Sequence, residues 1–504
     1  MEKLIVRLKS HAKIEVFCND GIAWELREAF SFFVNGYKFM PKYRAKVWDG
    51  KIRIFDYNRR ELPAGLFEEL VKFCKNRDYE LILEDSPFGK PGAKNKLDPK
   101  EVWKFIESLN ITSSGKPITV RDYQFNAICK AIEDKRGLML SPTGSGKSLV
   151  AYILIRWHLA KKYNPEAAKI LLVVPTTSLV EQMYSDFADY SSQDPDWNVK
   201  NYCHKIYSGK EKVNVHEDVF ISTWQSIYKL PQTWFEQFGT IIGDEAHLFT
   251  ANSLTKSMDK AVNASHRLGM TGTLDGTKTN ELVLTGVFGK VYRATTTKKL
   301  QDRGELAPLI IYRVIFEWPE EIRSQFARTK YHDEIQWIIA NEQRNKYISK
   351  LAVSLEGNSL VLFNHIDKHG KILYDMIKDI NKNRTFYVSG ETDKADREAI
   401  RKIVNAQKKS CTTASLGTFS TGINIKNLHN VLFAFINKSQ IKVLQSIGRG
   451  LRVSENGATT VLYDFIDDLR YNKRENYTWR HGRERLKIYQ QEGFVVKTIK
   501  VKMK

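Results

Sequence analysis

The segment GLMLSPTGSGKSLVAYILI (137–155) constrains the fold more than any other part of the chain. A short apolar run leads into a glycine-rich turn, and a stretch with helical spacing follows. Gly144 and Gly146 allow backbone N–H groups to curl around nucleotide phosphates at a helix N-terminus. Lys147 can neutralise the terminal charge, and the Ser148 hydroxyl can ligate Mg²⁺. A flexible loop before a helix is the alternative, and the order of strand, GSGKS and helix argues against it.

The segment departs at one position from the strict phosphate-loop pattern GxxxxGK[ST], because Ser141 stands where that pattern has glycine. The later positions of the pattern match. The residues expected to bind the phosphates are therefore Pro142, Thr143, Gly144, Ser145, Gly146, Lys147 and Ser148.

A pair of carboxylates follows about a hundred residues later, in FGTIIGDEAHLF (238–249). Asp244 and Glu245 end an apolar run that predicts a buried strand. Asp244 can hold Mg²⁺ and Glu245 can polarise an attacking water, because phosphoryl transfer depends on positioned charge and an oriented nucleophile. Alone, these residues could form a solvated turn. Together with the phosphate loop they predict a nucleotide-hydrolysing site.

The alternation of apolar runs with polar helical stretches predicts an α/β fold, and the same rhythm occurs twice. The turn-rich stretch SPFGKPGAKNKLDPK (86–100) is typical of a linker after a small front domain. The sequence thus predicts an α+β domain over 1–95, parallel-sheet lobes over 101–305 and 306–470, and a basic C-terminal tail over 471–504.

The charge balance points to a polyanionic partner, since 79 Lys and Arg against 58 Asp and Glu give a net charge of +21. A membrane surface is the rival polyanion, but no apolar run approaches the roughly 18 residues that span a bilayer. The amino terminus lacks the apolar stretch of a secretory signal. The five cysteines are scattered singly and predict no zinc site. We expect a cytoplasmic protein, in the host cytoplasm if a phage encodes it.

An arginine pair stands out in the second half, in VLQSIGRGLR (443–452). Arg449 and Arg452 are three residues apart, so a helix would project both from one face toward a phosphate. Arginines placed in this way stabilise charge on a transferred phosphoryl group. A solvated basic helix face is the alternative.

GSGKS together with Asp244-Glu245-Ala246-His247 resembles the superfamily-two helicases and translocases. Further segments fall in that family's order between 121 and 452: RDYQ, VPTTSLVEQ, STWQS, Thr271-Gly272-Thr273, VLFN, GTFSTGINI and QxxGRxxR. The resemblance implies two tandem RecA-like lobes that bind ATP and Mg²⁺. It also implies roles for Arg121 and Gln124 in reading adenine, for Thr176, Thr223 and Thr421 in holding nucleic acid, and for Gly422, Gln445, Arg449 and Arg452 in completing the ATP site.

The front domain carries basic and aromatic residues in 36–60, with eight Lys or Arg against two Asp. Basic groups can bind phosphates while exposed rings stack on unpaired bases, so we expect Trp48, Lys51 and Arg53 to contact DNA. Asp49-Gly50 predicts a tight hairpin turn with Ile52 and Ile54 inward and the cations outward. Alternatively, the aromatics form the domain core. The tail 470–504, with eleven Lys or Arg against three Glu, either binds phosphates or is solvated.

The front domain followed by this motor resembles the phage UvsW type of recombination helicase over nearly the whole chain. That resemblance implies an ATP-dependent DNA helicase, a monomer, that remodels branched DNA through branch migration, fork reversal and processing of D-loops or Holliday junctions. Two alternatives stay open. One is an RNA-dependent ATPase of the same fold, and the other is a catalytically weak nucleic-acid-binding module.

Overall fold

The computed structural model describes residues 2–34, 36–212, 216–250, 252–272, 274, 278–382, 384–418, 428–435 and 459–504. The chain divides into two compact units. The first contains Met1–Ser141 and Gly146–Ala294, and the second contains Thr295–Lys504 with the loop residues Pro142–Ser145. Within the described residues, no helix is both long and apolar enough to cross a membrane.

The first unit begins with a small domain whose four-stranded sheet has the order β5-β2-β1-β6. Alternating residues of the strands, such as Leu4 and Val6, are buried beneath the helices. Asn19 begins the first helix by accepting a hydrogen bond from the backbone of Ile22. The strands are β1 Lys3–Leu8, β2 Lys13–Phe17, β3 Ser31–Phe33, β4 Lys51–Arg53, β5 Glu61–Pro63 and β6 Glu80–Leu83, and the helices are α1 Asp20–Ala29, α2 Pro41–Arg44 and α3 Phe67–Lys75.

The predicted tight hairpin at Asp49-Gly50 is wrong. β4 pairs antiparallel with β3 instead, and residues 34–50 connect the two strands. Ile52 of this two-stranded ribbon is 39% exposed rather than inward. Lys51 and Arg53 are half-buried because both lie within ion-pair distance of Glu28.

The second part of the first unit is a seven-stranded parallel sheet in the order β11-β12-β10-β13-β14-β9-β15. Its central strands are uninterrupted apolar runs such as KILLVV, because helices cover both faces. The strands are β7 Thr112–Ser113, β8 Lys116–Pro117, β9 Arg136–Leu140, β10 Lys169–Val174, β11 Cys203–Ile206, β12 Val219–Thr223, β13 Phe238–Asp244, β14 His266–Thr271 and β15 Val291–Arg293. The helices are α4 Pro99–Ser108, α5 Asp122–Asp134, α6 Lys147–Lys161, α7 Thr177–Tyr190, α8 Val199–Tyr202, α9 Trp224–Ile227, α10 Gln232–Phe235, α11 Asn252–Asp259 and α12 Lys278–Phe288.

The second unit repeats this architecture, with a seven-stranded parallel sheet in the order β18-β19-β17-β20-β21-β16-β22. The two sheets confirm the predicted pair of tandem RecA-like lobes. The strands are β16 Leu309–Glu317, β17 Ser359–Phe363, β18 Thr385–Val388, β19 Cys411–Ser415, β20 Asn430–Phe433, β21 Thr460–Asp468 and β22 Val495–Lys502. The helices are α13 Thr297–Asp302, α14 Glu320–Gln325, α15 Tyr331–Ala340, α16 Glu342–Ser354, α17 Lys371–Ile380, α18 Lys394–Ala406 and α19 Tyr477–Gln491.

The residues expected to form a separate basic tail, 471–504, belong to the second sheet. Strand β22 pairs with β16 from Ile310 to Glu317, and α19 packs on β21. Lys497, Lys500 and Lys502 lie on the edge strand β22, where charges discourage pairing with other chains. Most other basic residues of this segment are exposed on α19 and the turn before it, whereas Arg485 is buried and pairs with Asp464 at 2.7 Å. The structure also divides the units after Ala294 rather than at 305.

The front domain docks on the first lobe through a backbone contact at Gly65. A Cβ atom at this position would lie 2.1 Å from the Thr285 carbonyl oxygen and 2.7 Å from that of Gly286. Nearby, the backbone N–H of His11 donates a hydrogen bond to the Val262 carbonyl at 2.9 Å. Only glycine allows this approach.

Gly65→Ala is expected to lower the free energy of unfolding of the first unit by about 1–3 kcal/mol, since the added methyl group meets backbone that cannot rotate away. Urea denaturation of the full chain measures the change. Gly21→Ala is the matched control, because its Cβ would meet only Asn19 Oδ1, at 3.4 Å. Equal stability of the two variants would contradict the tight docking at Gly65.

A buried carboxylate fixes the start of α19 in the second unit. Glu334 accepts hydrogen bonds from the backbone N–H groups of Tyr477 and Thr478, at 2.9 and 2.8 Å, and from Asn476 Nδ2 at 2.9 Å. A negative charge at a helix N-terminus is favourable. Because the site is buried, water would not replace the carboxylate as the hydrogen-bond acceptor of these donors.

Glu334→Ala is expected to destabilise the second unit by about 3 kcal/mol, because it leaves buried donors unsatisfied. The effect is measured by urea denaturation, with helix fraying at α19 followed by hydrogen exchange. Glu356→Ala is the control, since that side chain is 94% exposed and should change stability by less than ~0.5 kcal/mol. A loss at Glu334 no larger than the control loss would refute this account.

Candidate nucleotide site

The strand order of the first lobe brings the predicted site residues to one edge of the sheet. Parallel strands present their carboxyl ends on the same side, where ligands of α/β proteins bind. The register places Leu140 beside Thr271, Met270 beside Asp244, and Val174 beside Thr223. The elements that follow these strand ends are the phosphate loop 141–146, Thr176, the carboxylates Asp244 and Glu245, and the pair Thr271-Gly272.

The phosphate loop is held by hydrogen bonds of its own and of the neighbouring strand. Ser141 N–H donates to the Thr271 carbonyl at 2.9 Å, and Ser145 Oγ donates to the Pro142 carbonyl at 2.7 Å. Gly144 and Gly146 adopt φ values of +84° and +80°, which side chains disfavour. Helix α6 begins directly afterwards with Lys147, whose Nζ donates to the Ser141 carbonyl at 3.0 Å. The ammonium group thus lies over the turn that phosphates would enter.

Gln124 lies directly against the loop. A Cβ atom at position 146 would lie only 2.3 Å from Gln124 Nε2. Glycine at 146 therefore allows the close contact with the Gln124 amide, in addition to the positive φ of the turn. The amide is oriented by its Oε1, which accepts a hydrogen bond from Arg121 N–H at 2.9 Å at the start of α5. Arg121 is fixed in turn by a 3.0 Å hydrogen bond from Nη1 to the Tyr123 hydroxyl.

Ser148 contacts a residue that sequence reasoning missed. Its Oγ lies 3.0 Å from the hydroxyl of Tyr190, the last residue of α7. Burial raises the pKa of Tyr190 to about 12, so the phenol keeps its proton at neutral pH. Tyr190 belongs to no motif, and its pairing with Ser148 depends on how α6 packs on α7. No sequence signal could have identified it.

Asp244 is the most perturbed carboxylate of this edge. It is buried at the end of β13, and its Oδ1 has no hydrogen-bond partner among the described residues. Burial raises its pKa to about 6, repulsion from Glu245 adds to the effect, and attraction from Lys147 opposes it. An orphaned carboxylate oxygen on the same edge as the Ser148 hydroxyl suits Mg²⁺, which prefers oxygen ligands. The described residues contain no cluster of three or more protein carboxylate, histidine or cysteine ligands, so phosphate oxygens and water would complete the coordination.

A short polar chain joins the carboxylates to the phosphate loop. His247 Nδ1 lies 3.3 Å from Glu245 Oε2 and 2.9 Å from Thr271 Oγ1, and Thr271 accepts the hydrogen bond from Ser141 through its carbonyl. Glu245 adopts a left-handed backbone with φ of +49°, which turns the chain from the strand to the helical turn Ala246–Thr250. The sequence placed Glu245 and Thr271 in separate motifs and did not predict that His247 links them.

Thr176 and Thr223, which the resemblance assigns to nucleic-acid binding, follow neighbouring strands at the same sheet edge. The Thr176 hydroxyl caps α7 by accepting from Leu179 N–H at 3.3 Å. The Thr223 hydroxyl lies 2.9 Å from Ser226 Oγ. These bonds hold the two turns in place.

The three front-domain residues expected to touch DNA form hydrogen bonds or ion pairs within the front domain. Trp48 Nε1 donates to the Lys51 carbonyl at 2.8 Å, Lys51 pairs with Glu28, and Arg53 pairs with Asp49. More exposed apolar side chains of the same segment are Phe39, at 76%, and Val47, at 79%. The expected second-lobe residues Thr421, Gly422, Gln445, Arg449 and Arg452, with Thr273 of the first lobe, lie outside the residues that the structure describes.

Asp244→Asn is expected to raise the free energy of unfolding at pH 7.5 by about 2–3 kcal/mol. The folded-state pKa near 6 lies above the ordinary 3.8, so the parent binds more protons when folded and loses stability as pH rises between these values. The gain should fall toward zero well below pH 3.8, where the carboxyl is protonated in both states. Urea denaturation at the two pH values measures it, with exposed Asp85→Asn as control. A gain independent of pH would contradict the assignment.

Each unit contains one seven-stranded parallel sheet, and a glycine-rich loop and a buried carboxylate follow neighbouring strands of the first sheet. These features define a P-loop NTPase of the two-lobed helicase type. A family model described as the N-terminal part of the DNA helicase UvsW matches residues 3–84, and a model of the type III restriction enzyme res subunit matches residues 117–276. The ATP-dependent DNA helicase uvsW of Enterobacteria phage T4 is 35% identical over 97% of this chain and 98% of its own length. The chain therefore belongs to the UvsW family of DNA helicases.

Solved structures agree with this placement. The crystal structure of T4 UvsW matches with a TM-score of 0.53 at 32% identity, over 99% of both chains. The type ISP restriction-modification enzyme LlaBIII, bound to DNA, matches with a TM-score of 0.56 at 16% identity over 77% of this chain and 32% of its own. That second likeness concerns the fold alone.

Proposed function

We propose that the protein hydrolyses ATP, bound with Mg²⁺, to drive remodelling of branched DNA, including branch migration, fork reversal and processing of D-loops or Holliday junctions. The observation that carries the proposal is the loop itself. Lys147 and the glycine-wound turn share a sheet edge with a buried carboxylate that has an orphaned oxygen. Membership of the UvsW family supports DNA as the substrate.

Each described residue has a distinct part in this proposal. Lys147 and the loop N–H groups bind the phosphates, while Arg121 and Gln124 contact the base. Ser148 and Asp244 hold the metal, which when bound neutralises phosphate charge. Glu245 takes the proton of the attacking water, and the contact with His247 orients its carboxylate.

Residues outside the described part complete the proposed cycle. Arg449 and Arg452, with Gln445 and Gly422, act from the second lobe to stabilise charge on the transferred phosphoryl group. Hydrolysis then changes how the lobes grip DNA through the turns at Thr176, Thr223 and Thr421. We further propose that the protein acts as a monomer in the cytoplasm, that of the host if a phage encodes it.

The front domain supplies the proposed preference for branched substrates. The segment that connects β3 and β4 carries exposed apolar side chains, Phe39 and Val47, among basic residues. An exposed ring such as that of Phe39 can stack on unpaired bases, and the cations can bind phosphates at a branch point. Trp48, Lys51 and Arg53 contact DNA in this proposal, from positions that the ion pairs of the two cations and the Trp48 hydrogen bond to the Lys51 carbonyl hold in place.

Lys147→Ala is expected to lower DNA-stimulated ATP hydrolysis by about 100-fold or more, because the ammonium that neutralises the phosphate is lost. Lys161→Ala is the matched control. That lysine is in the last turn of the same helix and pairs with exposed Glu101, so activity should stay at the parent level.

The same assay identifies the nucleic acid. Stimulation is compared for a four-way DNA junction, a linear duplex, single-stranded DNA and RNA at one salt concentration, since affinity for polyanions depends on salt. Greatest stimulation by the junction is expected. Greater stimulation by RNA would replace the DNA proposal with an RNA-dependent ATPase, and no hydrolysis by the parent would leave a nucleic-acid-binding module.

A further inference from the structure

A cavity of about 150 Å³ lies where the front domain, the linker and the first lobe meet. The front domain contributes His11 and Gly65, the linker contributes residues 88–94, and the lobe contributes residues 134–136 and 289–290. Strand β9 starts at this cavity with Arg136, whereas the phosphate loop follows its other end. The cavity is therefore separate from the nucleotide site, at the opposite edge of the sheet.

Arg136 is the unusual residue of this cavity. Its Nη1 and Nη2 atoms are both buried, and neither has a hydrogen-bond partner among the described residues. The neighbouring buried arginine, Arg267, has hydrogen-bond partners: its guanidinium donates to the carbonyls of Met258, Ala261 and Ala264 at 2.5–3.1 Å. An unpaired buried charge is strongly destabilising unless something compensates it.

Among the described residues, no carboxylate forms an ion pair with Arg136. Of the two acidic residues that line the cavity, Asp134 pairs with Lys94 and Lys130, and Glu68 lies 3.7 Å from Lys290. Lys135, also in the lining, makes no ion pair within the described ranges. The lining thus carries five Lys or Arg against two carboxylates.

The remaining titratable group cannot balance this charge. Burial, together with the positive charges of Arg136, Arg267 and Lys135, lowers the pKa of His11 to about 3. The imidazole is therefore neutral, which avoids adding another cation.

The backbone makes room for the guanidinium. Gly289 has φ of +100°, and a Cβ atom there would lie 2.8 Å from Arg136 Cβ. Gly92 of the linker packs in the same way against Phe67, with 2.4 Å between its added Cβ and the ring. Both glycines bring the walls of the cavity close around the basic residues.

We propose that this cavity binds a small tetrahedral oxyanion of the phosphate class, with Arg136 as its principal ligand and Lys135 as a second. A guanidinium matches two oxygens of such an anion at once. The volume suffices for the ion with bound water, since one water molecule occupies roughly 30 Å³ of liquid. The bound anion fastens the linker and the front domain to the first lobe. Free inorganic phosphate and the terminal phosphate of a DNA strand share this chemistry.

The test measures thermal melting of the full-length chain as inorganic phosphate replaces chloride at constant ionic strength. Every protein carries Lys147→Ala, which weakens phosphate binding at the nucleotide loop equally in all variants, and ATP hydrolysis is not needed. The Tm is expected to rise with the logarithm of phosphate concentration once this exceeds the Kd, by roughly 2 °C or more at ten times the Kd. Arg136→Met should melt higher without phosphate and show no rise with it.

Two further variants keep the test decisive. Lys135→Met should shift the phosphate dependence to several-fold higher concentrations without abolishing folding. Lys161→Met, on an exposed ion pair remote from the cavity lining, should respond as the parent does. Absence of a phosphate response in the parent, or a full response in Arg136→Met, overturns the proposal.

The source of the anion is identified by repeating the titration with 5′-phosphorylated and unphosphorylated oligonucleotides. An Arg136-dependent rise with only the phosphorylated strand assigns the cavity to DNA ends. A rise with inorganic phosphate alone assigns it to the free ion. An equal rise with both oligonucleotides and none with inorganic phosphate contradicts the site, since that pattern reflects binding along the DNA.

Discussion

The hydrogen-bonded register of the parallel strands is the constraint on which the first lobe depends. Because β9, β14 and β13 are neighbours in one ladder, the phosphate loop, Thr271 and Asp244 must end at the same edge. The ladder also converts a linear order of motifs into a compact polar cluster. The bond from Ser141 to Thr271 continues that ladder one residue past the strand and fixes where the loop begins.

The same constraint explains what the sequence could and could not predict. Apolar runs such as KILLVV in β10 and FGTIIGD in β13 identify buried strands, and the carboxylate after the second run is locatable from local pattern alone. The contacts Ser148 to Tyr190 and Gly146 to Gln124 depend on helix packing between residues distant in sequence. Local pattern contains no information on such packing. The roles of the site residues accordingly remain predictions.

The two errors of prediction have a common physical origin. The basic segment 471–504 was expected to be a tail because its charge was counted without its pairing partner, β16, which lies far back in the chain. The hairpin at Asp49-Gly50 was expected because Asp-Gly is a turn-forming pair. The observed pairing of β3 with β4 joins residues that are distant in sequence, and no local pattern indicates it. With that pairing, Ile52 lies on an exposed face of the ribbon.

Among the described residues, some buried charged groups have an ion-pair partner and others have none. In the second unit, Arg485 meets Asp464, and Arg344 contacts Asp467 at 3.1 Å, so each charge is compensated within the core. In the first unit, Asp244 Oδ1 and the Arg136 guanidinium have no such partner among the described residues. These two groups lie at opposite ends of one sheet. A bound cation would stabilise the carboxylate of Asp244, and a bound anion would stabilise the guanidinium of Arg136.

Helix α5 connects these two ends. At its carboxyl end, Asn95 of the linker donates from Nδ2 to the Ile132 carbonyl and from its backbone to that of Glu133, at 2.9 and 2.8 Å. At its amino end, Gln124 touches Gly146. A helix of 13 residues is about 20 Å long, so α5 spans the distance between the phosphate loop and the linker. The front domain packs on the same lobe without room for a side chain at Gly65, whose Cβ would meet the backbone of α12.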